Sequence, residues 1–409
     1  MKVIVSHPTG NQNSRNTVEA LQKNNLLDSF YTTVGVYDDN FLTKINVDIL
    51  KQVSKRSYSS DLKGKIKFHP NLELWRLLSV KFKLKHFYKF PNSRFSVQNV
   101  FEDFDLFVSN NLFKNNADIV FAYAGTAYHT FCEASKHNIY KIYEQHACYW
   151  KSFESITAQE IIDNPKWANS INKTFLESKS KDRLDFEIEM ADKIVVASKF
   201  CADSIPSNFR DKTSIIPYGF PKPFQNREYI KNKKLKILFV GNLSQLKGLS
   251  YLFDAVFPYK EFVELTLVGS MPTENTEILN KKLREHIYLG TLTNDEVLAQ
   301  MRLHDLLIFP TLFDAFGMVI SEAMAQGTSV ITTTSSAGSE IIDHKKNGWV
   351  IPPKSTDAIK EIIEILLSDR NLAISMGEEA LKKSKSRNWE IYQSEIGNFI
   401  ANIKNHQTF

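Results

Sequence analysis

Short stretches made up almost wholly of apolar residues alternate along this chain with longer stretches of helical periodicity. Each apolar stretch has the length of a buried strand, and strand-helix-strand alternation predicts an α/β fold built on parallel sheets. Such sheets bind ligands at the carboxyl ends of their strands. The predicted strands cover residues 2–6, 117–123, 141–145, 191–198 and 212–216, then 235–241, 264–269, 286–290, 306–309, 329–333 and 347–353.

The chain is long enough for two domains, because 409 residues exceed one ordinary hydrophobic core. Pro221 and Pro223 indicate a linker between them. We therefore predict a first domain over residues 1–222, a second over 223–387, and a C-terminal helix within 388–409. Other helices are predicted over residues 14–23, 98–113, 356–368 and 371–384. A long polar helical region is predicted over residues 156–190.

The segment 309–327, FPTLFDAFGMVISEAMAQG, predicts the end of a buried strand, a tight turn and a helix that Gly327 ends. Small residues between Asp314 and Gly317 allow a ligand to approach the backbone closely. The amides at the start of this helix, from Phe316 to Met318, are expected to be free and to favour an anion. A phosphate group suits them.

Two carboxylates frame that turn, Asp314 before it and Glu322 inside the helix. Their spacing resembles the acidic-x7-acidic signature of retaining glycosyltransferases with the two-domain GT-B fold, family 4. The resemblance implies that Glu322 binds the ribose hydroxyls of a nucleotide-sugar and that Asp314, standing where Glu is usual, contacts the transferred sugar. The alternative is structural: Asp314 caps the helix and Glu322 lies on a solvated face.

A second motif, Gly241-Asn242 followed by Lys247, resembles the family's diphosphate-binding pattern, in which an Arg usually occupies the position of Asn242. Lys247 matches the family lysine; otherwise it is a surface residue. The resemblance further places the first loop over the donor, a histidine at the end of a first-domain strand beside the sugar, and the backbone after 286–290 along the base. The implied catalytic residues are His146, Lys247 and Asp314, and the implied donor-binding residues are Gly10, Asn11, Gly241, Asn242, Lys247, Thr291, Leu292, Asp314, Phe316, Gly317, Met318, Val319 and Glu322.

The resemblance implies transfer of a sugar, with retention, from a nucleotide diphosphate-sugar to a glycan or lipid-linked acceptor in cell-envelope polysaccharide assembly. The nucleotide-sugar is a co-substrate, and no metal or other cofactor is expected. The resemblance also implies that the last helix crosses back to the first domain. Two alternatives stay open: a nucleotide-sugar epimerase or related sugar-phosphate enzyme, and a non-catalytic GT-B partner protein that binds a nucleotide-sugar or glycan.

Positive charge is concentrated in one stretch: from Lys44 to Arg94 there are 13 Lys and Arg against three acids, whereas the whole chain has a net charge of +5. Aromatic residues are interleaved with these cations. This composition favours contact with an anionic membrane face or a phosphate-bearing lipid acceptor. The alternative is a solvated insertion with its aromatic residues in the core. Nothing in the stretch resembles a nucleic-acid-reading motif.

The remaining sequence signals indicate a cytoplasmic protein, at the inner face of the membrane if the basic stretch binds lipid. The start, MKVIVSHPTGN, predicts a first strand and not a secretory signal. The three cysteines, Cys132, Cys148 and Cys201, lack metal-ligand spacing and indicate reduced thiols.

Overall fold

The computed structural model describes residues 1–39, 56–90, 93–114, 117–171, 180–230, 233–272, 274 and 276–406. The basic stretch Lys44–Arg94 therefore lies partly outside the described residues, at 40–55 and 91–92.

The described residues form two larger sheets, and every strand pairing in them is parallel, as the sequence predicted. The first sheet has the strand order β5-β2-β1-β6-β7-β8-β9, and the second has the order β12-β11-β10-β13-β14-β15. A short pair, β3 and β4, lies apart from both. The strands are β1 (Val3–Ser6), β2 (Leu27–Thr32), β3 (Val36–Tyr37), β4 (Ser57–Tyr58), β5 (Ile66–Phe68), β6 (Ile119–Tyr123), β7 (Tyr140–Glu144), β8 (Lys193–Val196), β9 (Thr213–Ile215), β10 (Leu235–Val240), β11 (Val263–Val268), β12 (Ile287–Tyr288), β13 (Leu306–Phe309), β14 (Ser329–Thr333) and β15 (Trp349–Ile351).

The central strands could be predicted from the sequence because their residues are buried and mostly apolar. All residues of β1, β6 and β13 are buried, as expected for central strands covered on both faces. Strand β2 was not predicted, because Asp28 and Ser29 interrupt its apolar run, although it pairs with β1. Ser29 is nevertheless buried in the sheet.

The helices follow the predicted periodicity closely in the second half and less closely in the first. The predicted bounds of Thr356–Ser368 and Asn371–Ser384 agree with the structure. The prediction of one long helical region over 156–190 was wrong, because Trp150–Asp163 ends before Pro165, where a 3-10 helix begins. The α-helices are Gln12–Lys23, Asn71–Lys81, Val97–Leu112, Tyr128–Lys136, Trp150–Asp163, Ser180–Met190, Lys199–Ser204, Leu249–Val256, Glu277–Leu283, Asn294–Leu303, Met318–Ala325, Gly338–Ile341, Thr356–Ser368, Asn371–Ser384 and Trp389–His406.

The part of the chain that holds the first sheet is called the first half, and the part that holds the second sheet is called the second half. The last helix, Trp389–His406, crosses back to the first half, as predicted. Its Tyr392 hydroxyl is 2.8 Å from Thr17 Oγ1 on the helix Gln12–Lys23, and its Gln393 amide donates to Asn16 at 2.8 Å. Just before this helix, the amide of Phe220 donates to Arg387 O at 2.7 Å. The chain passes between the halves after Phe220 and again after Arg387, and these two connections therefore lie side by side.

The segment from Trp150 to Ser170 also joins the halves, because its buried carboxylate Glu160 is bound by the second half. Gln245 Nε2 donates to Glu160 Oε1 at 2.8 Å, and Lys354 Nζ lies 3.0 Å from Glu160 Oε2. Trp167 stacks on Phe253 with ring centroids 5.8 Å apart. The predicted domain boundaries stay a prediction.

Candidate active site

The turn after β13 is held by its own carboxylate. Asp314 Oδ1 accepts hydrogen bonds from the amides of Phe316, at 3.2 Å, and Gly317, at 2.6 Å. Gly317 has φ +78°, in the left-handed region that glycine adopts without strain. The helix Met318–Ala325 starts immediately afterwards. Asp314 thus fixes the turn that the sequence analysis singled out.

The prediction that the amides from Phe316 to Met318 are all free was therefore wrong for two of them, because Asp314 folds back onto Phe316 and Gly317. Within the described residues, the amides of Met318 and Val319 have no hydrogen-bond partner. The positive end of the helix remains available to an anion at these two positions.

Lys247 contacts the same carboxylate from the opposite side of the turn. Its Nζ lies 2.6 Å from Asp314 Oδ2 and donates to Phe313 O at 3.1 Å. The lysine side chain is 19% exposed and the Asp314 side chain 24% exposed, so both reach solvent. The structure thus brings together the predicted phosphate-binding cation and the predicted sugar-contacting carboxylate.

Glu322 lies on the same helix as the free amides, four residues after Met318, which is about 6 Å along the helix axis. Its Oε1 accepts from Asn294 Nδ2 at 3.0 Å, and burial raises the pKa of the carboxyl. Asn294 follows Thr291 and Leu292 and begins the helix that Thr293 caps. This bond places Glu322 next to the segment predicted to lie along the base. Asn294 was not among the predicted site residues.

A cavity of about 380 Å³ opens between the halves beside Lys247. Asn242, which occupies the family's usual Arg position, lies in its wall and accepts from Ser270 Oγ at 2.8 Å. Gly241 precedes it and closely faces Gly269 across β10 and β11. The first half contributes Phe153 and residues 169–171, and the second half further contributes Leu243, Ser244, Leu246, Ser270, Met271, Pro272 and Phe313.

Gly10 and Asn11 lie in the loop that follows β1. Gly10 has φ +55°, and a Cβ built on it would be 1.7 Å from the hydroxyl of Tyr58. The Asn11 side chain accepts from Ser14 N at 2.9 Å and caps the helix Gln12–Lys23. Asn11 therefore has a structural role in addition to the predicted contact with the donor.

His7 stabilises the same loop as a neutral imidazole. Its Nδ1 accepts from the amides of Thr9, at 3.1 Å, and Gly10, at 2.9 Å, so its hydrogen is assigned to Nε2. Burial, together with the charge of His146, lowers its pKa to about 3.

His146 follows β7 and is an exposed residue. Protein groups nevertheless surround the ring closely enough that desolvation lowers its pKa. Within the described residues the structure shows no hydrogen bond from this ring to a backbone carbonyl, which was the structural alternative. His146 is near His7, since its charge acts on the pKa of that residue. It is thus placed to contact a ligand as a neutral donor or acceptor.

Contacts across the opening bring the first half against the Asp314 turn. The hydroxyl of Ser198, at the end of β8, donates to Ala315 O, and the amide of Lys199 donates to Glu340 Oε1 at 2.8 Å. The Phe313 ring packs edge-on against Phe153, with centroids 5.1 Å apart. These contacts are not evident from the sequence, because a Ser after a strand ordinarily indicates only a helix cap.

The described residues include no group of three or more His, Cys, Asp or Glu side chains arranged to hold a metal ion. The expectation of a metal-independent reaction stays a prediction. No described helix has the length and apolarity needed to span a bilayer.

The second half matches the family model described as glycosyl transferases group 1, over residues 222–383. The uncharacterized glycosyltransferase MJ1178 of Methanocaldococcus jannaschii is 29% identical over 201 residues, 49% of this chain and 56% of that protein. The capsular polysaccharide biosynthesis glycosyltransferase CapM of Staphylococcus aureus is 24% identical over 241 residues, 51% of this chain and 62% of that protein. The matched region thus spans about half the length of these curated relatives.

Solved structures resemble the whole chain in fold. Sucrose-phosphate synthase from Thermosynechococcus elongatus has a TM-score of 0.64 at 15% identity, covering 100% of both chains. Anabaena Alr3699/HepE, solved with UDP and glucose, has a TM-score of 0.65 at 14% identity, covering 98% of this chain and 99% of that one. At such identities the likeness concerns the fold, and both neighbours are GT-B proteins. The chain therefore has the GT-B fold, and its residues 222–383 form a glycosyl transferases group 1 domain.

Proposed function

We propose that this protein is an enzyme that transfers a sugar from a nucleotide diphosphate-sugar to an acceptor hydroxyl, with retention at the anomeric carbon. The observation that carries the proposal is the group of Lys247, Asp314 and the free amides of Met318 and Val319 at one helix start. A cation and amide donors bind the negative charge of a diphosphate. Carboxylate and imidazole groups form hydrogen bonds with the hydroxyls of a sugar. Glu322 on the same helix supplies an acceptor for ribose hydroxyls.

In the proposed reaction the bond between the anomeric carbon and the diphosphate oxygen breaks, and the acceptor oxygen bonds to that carbon from the same face. The acceptor proton passes to the departing phosphate oxygen, so no protein nucleophile is needed. Negative charge grows on the leaving diphosphate, where Lys247 and the two amides stabilise it. Asp314 and the neutral His146 hold the sugar hydroxyls.

The first experiment identifies the donor. Thermal shifts are measured with UDP, GDP, ADP and their sugars, and nucleotide release is then measured with the best donor in the presence of EDTA. Since Anabaena HepE was solved with UDP, uridine nucleotides are tested first. Release of free nucleoside diphosphate with EDTA present supports a metal-independent transferase.

The second experiment tests the site. Lys247→Ala is expected to lower turnover by about a hundred- to a thousand-fold, because a transition-state donor is lost. Glu322→Ala is expected to lower turnover because the ribose hydroxyls lose their acceptor. Lys360→Ala and Glu361→Ala, on the helix Thr356–Ser368, are the matched controls. Near-normal turnover in both site variants contradicts the assignment. Nucleotide-sugar binding without any release supports a non-catalytic partner protein, and interconversion of the bound sugar supports an epimerase.

For the acceptor we propose a glycan or a lipid-linked glycan in envelope polysaccharide assembly, with the protein in the cytoplasm. Similarity to CapM, named for capsular polysaccharide biosynthesis, supports this class. WaaG, whose structure is described as that of a glycosyltransferase involved in lipopolysaccharide biosynthesis, has a TM-score of 0.59 to this chain and covers 97% of it.

We also propose that the described part of the basic stretch contacts an anionic membrane surface. Four aromatic residues in the later part of the stretch are outside the core: Trp75 is 57% exposed and Phe82 is 64% exposed, and Phe87 and Phe90 are exposed as well, whereas Tyr58 is buried. Around them Lys81, Lys83, Lys85 and Lys89 are exposed and have no ion-pair partner among the described residues. Exposed aromatic rings among unpaired cations match the chemistry of an anionic bilayer interface.

Vesicle flotation tests this contact. The wild-type protein is expected to float with phosphatidylglycerol-containing vesicles and not with pure phosphatidylcholine vesicles. Charge reversal of Lys81, Lys83 and Lys85 to Glu abolishes flotation, whereas reversal of Lys260, Lys360 and Lys382, outside the basic stretch, leaves it unchanged. Equal flotation of both triple variants contradicts the proposal.

A further inference from the structure

The turn that carries Lys247 is bound by residues of the first half. Lys247 is the last residue of a 3-10 helix, Gln245–Lys247. The amide of Gln245, which begins this helix, donates to Ser170 Oγ at 2.9 Å, and its side-chain Nε2 donates to Glu160 Oε1 at 2.8 Å. Ser170 and Glu160 both belong to the chain segment between β7 and β8. Two hydrogen bonds to the first half therefore fix the start of the turn.

The middle of the same turn is bound to the segment that follows β13. Leu246 O accepts from the amide of Leu312 at 2.8 Å and from Thr311 Oγ1 at 3.2 Å. Lys247 comes directly after Leu246. The position of its ammonium group, relative to the carboxylate with which it pairs, therefore depends on the anchor at Leu246 and on the anchor at Gln245.

Glu160 is fully buried, and both of its oxygens accept hydrogen bonds. Oε1 also accepts from Asn164 Nδ2 at 2.7 Å and from the Tyr251 hydroxyl at 3.0 Å, and Oε2 lies 3.0 Å from Lys354 Nζ. A carboxylate of the first half is thus bound by Gln245, Tyr251 and Lys354 of the second. A buried ion pair adds little net stability, because both charges lose their hydration. This pair is better explained by the one arrangement of the two halves that it selects.

The selected arrangement includes the cavity beside Lys247. Ser170 and Lys247 both lie in the wall of this cavity, and Asn169 and Ile171 lie on either side of Ser170 in the same wall. The segment that binds Gln245 therefore also closes one side of the space that Lys247 faces. A ligand in the cavity meets a cation whose backbone is held by the other half of the protein.

We propose that Glu160 is a positioning residue for Lys247. Glu160 is buried and acts through Gln245: when the first half is docked, the turn is fixed and the cation is in place for the donor diphosphate. A cation that is already fixed loses less conformational freedom when the ligand binds, so the affinity for the diphosphate is higher. This inference rests on the proposed function, from which the role of Lys247 is taken.

The test measures the affinity of the full-length protein for UDP by calorimetry, or for GDP or ADP where the thermal-shift screen selects that base. Gln245→Met and Glu160→Ala break the same hydrogen bond from its two ends, and each is expected to weaken affinity about three- to tenfold. Glu160→Gln keeps an oxygen that accepts from Gln245 and restores wild-type affinity. Asp163→Asn, which removes the charge of the other carboxylate paired with Lys354, is the matched control and keeps wild-type affinity.

A double-mutant cycle with Lys247→Ala distinguishes positioning from general support of the fold. Gln245→Met is expected to weaken UDP affinity in the wild-type background and to cause no further loss in Lys247→Ala. An equal loss in both backgrounds, or wild-type affinity in both Gln245→Met and Glu160→Ala, overturns the inference alone. Gln245→Met leaves Glu160 paired with Lys354, so the test stands even if Glu160→Ala does not fold. Wild-type UDP affinity in Lys247→Ala contradicts the proposed function and, with it, this inference.

Discussion

Lys247 and Asp314 form an ion pair with each other, with Nζ 2.6 Å from Oδ2. The proposed roles assign Lys247 to the diphosphate and Asp314 to the sugar. Without a ligand the lysine is therefore held by the carboxylate that stands where the family usually has Glu. A bound diphosphate has to compete with Asp314 for this cation, and the negative charge of Asp314 opposes that anion.

Asp314→Asn is therefore expected to bind the nucleoside diphosphate more tightly while turning over more slowly. The amide oxygen of Asn still accepts from Phe316 and Gly317, so the turn is kept, but Lys247 is released and the repulsion of the diphosphate is lost. Calorimetry with the diphosphate and a transfer assay with its sugar measure the two effects. Weaker diphosphate binding by Asp314→Asn would contradict the proposed exchange of partners.

Much of the fold could be predicted from the sequence, because apolar patterning and burial agree where strands are central. The predicted bounds of β13 and β14 match the structure, whereas β2 was missed because polar residues lie within a buried strand. The nearness of Lys247 to Asp314 followed from no local pattern, since 67 positions separate them in the chain. The hydrogen bonds that Asp314 accepts from Phe316 and Gly317 agree with the structural alternative, a helix cap, and they coexist with the contact to Lys247.

Gly10→Ala is expected to reduce both stability and turnover. The new Cβ would be 1.7 Å from the Tyr58 hydroxyl, and φ +55° is unfavourable for alanine. The loop next to the proposed donor site must then shift. Thermal unfolding and the KM for the donor are the measurements. In the double variant with Tyr58→Phe the closest clash is removed, so part of the lost stability returns; a double variant no more stable than Gly10→Ala would contradict the contact.

Asn294→Ala is expected to weaken donor binding by about three- to tenfold, because Glu322 loses the hydrogen bond that holds its carboxyl group. Asn294→Asp is expected to weaken it further near neutral pH, since two carboxylates then face each other. Asp295→Ala, at the neighbouring position, is the control. The measurement compares a ribonucleoside diphosphate with its 2′-deoxy analogue. If Glu322 binds the ribose, Asn294→Ala discriminates between them less than wild type; equal discrimination would contradict Asn294 as a positioning residue.

Glu144 predicts a pH-dependent stability that can be measured without any ligand. The carboxyl is 1% exposed, accepts from the Tyr218 hydroxyl at 2.7 Å through Oε1, and has no partner at Oε2. Burial raises its pKa from 4.5 to about 7. Between these values the folded chain holds a proton that the unfolded chain has lost, so the free energy of unfolding falls as pH rises and then levels off above pH 7.

Glu144→Gln removes this titration, and the difference between variant and wild type is the quantity to measure. Its expected change between about pH 4.5 and 7.5 is on the order of 3 kcal/mol, with wild type losing stability relative to Gln as pH rises. His7 titrates in the opposite sense, because its pKa is lowered to about 3 and its neutral form is favoured on folding. Since both proteins keep His7, subtraction cancels its effect. The free energy of unfolding is measured by urea unfolding at several pH values, with Glu361→Gln as the control. Parallel pH profiles for wild type and Glu144→Gln would show that the buried carboxyl is not protonated in the folded protein.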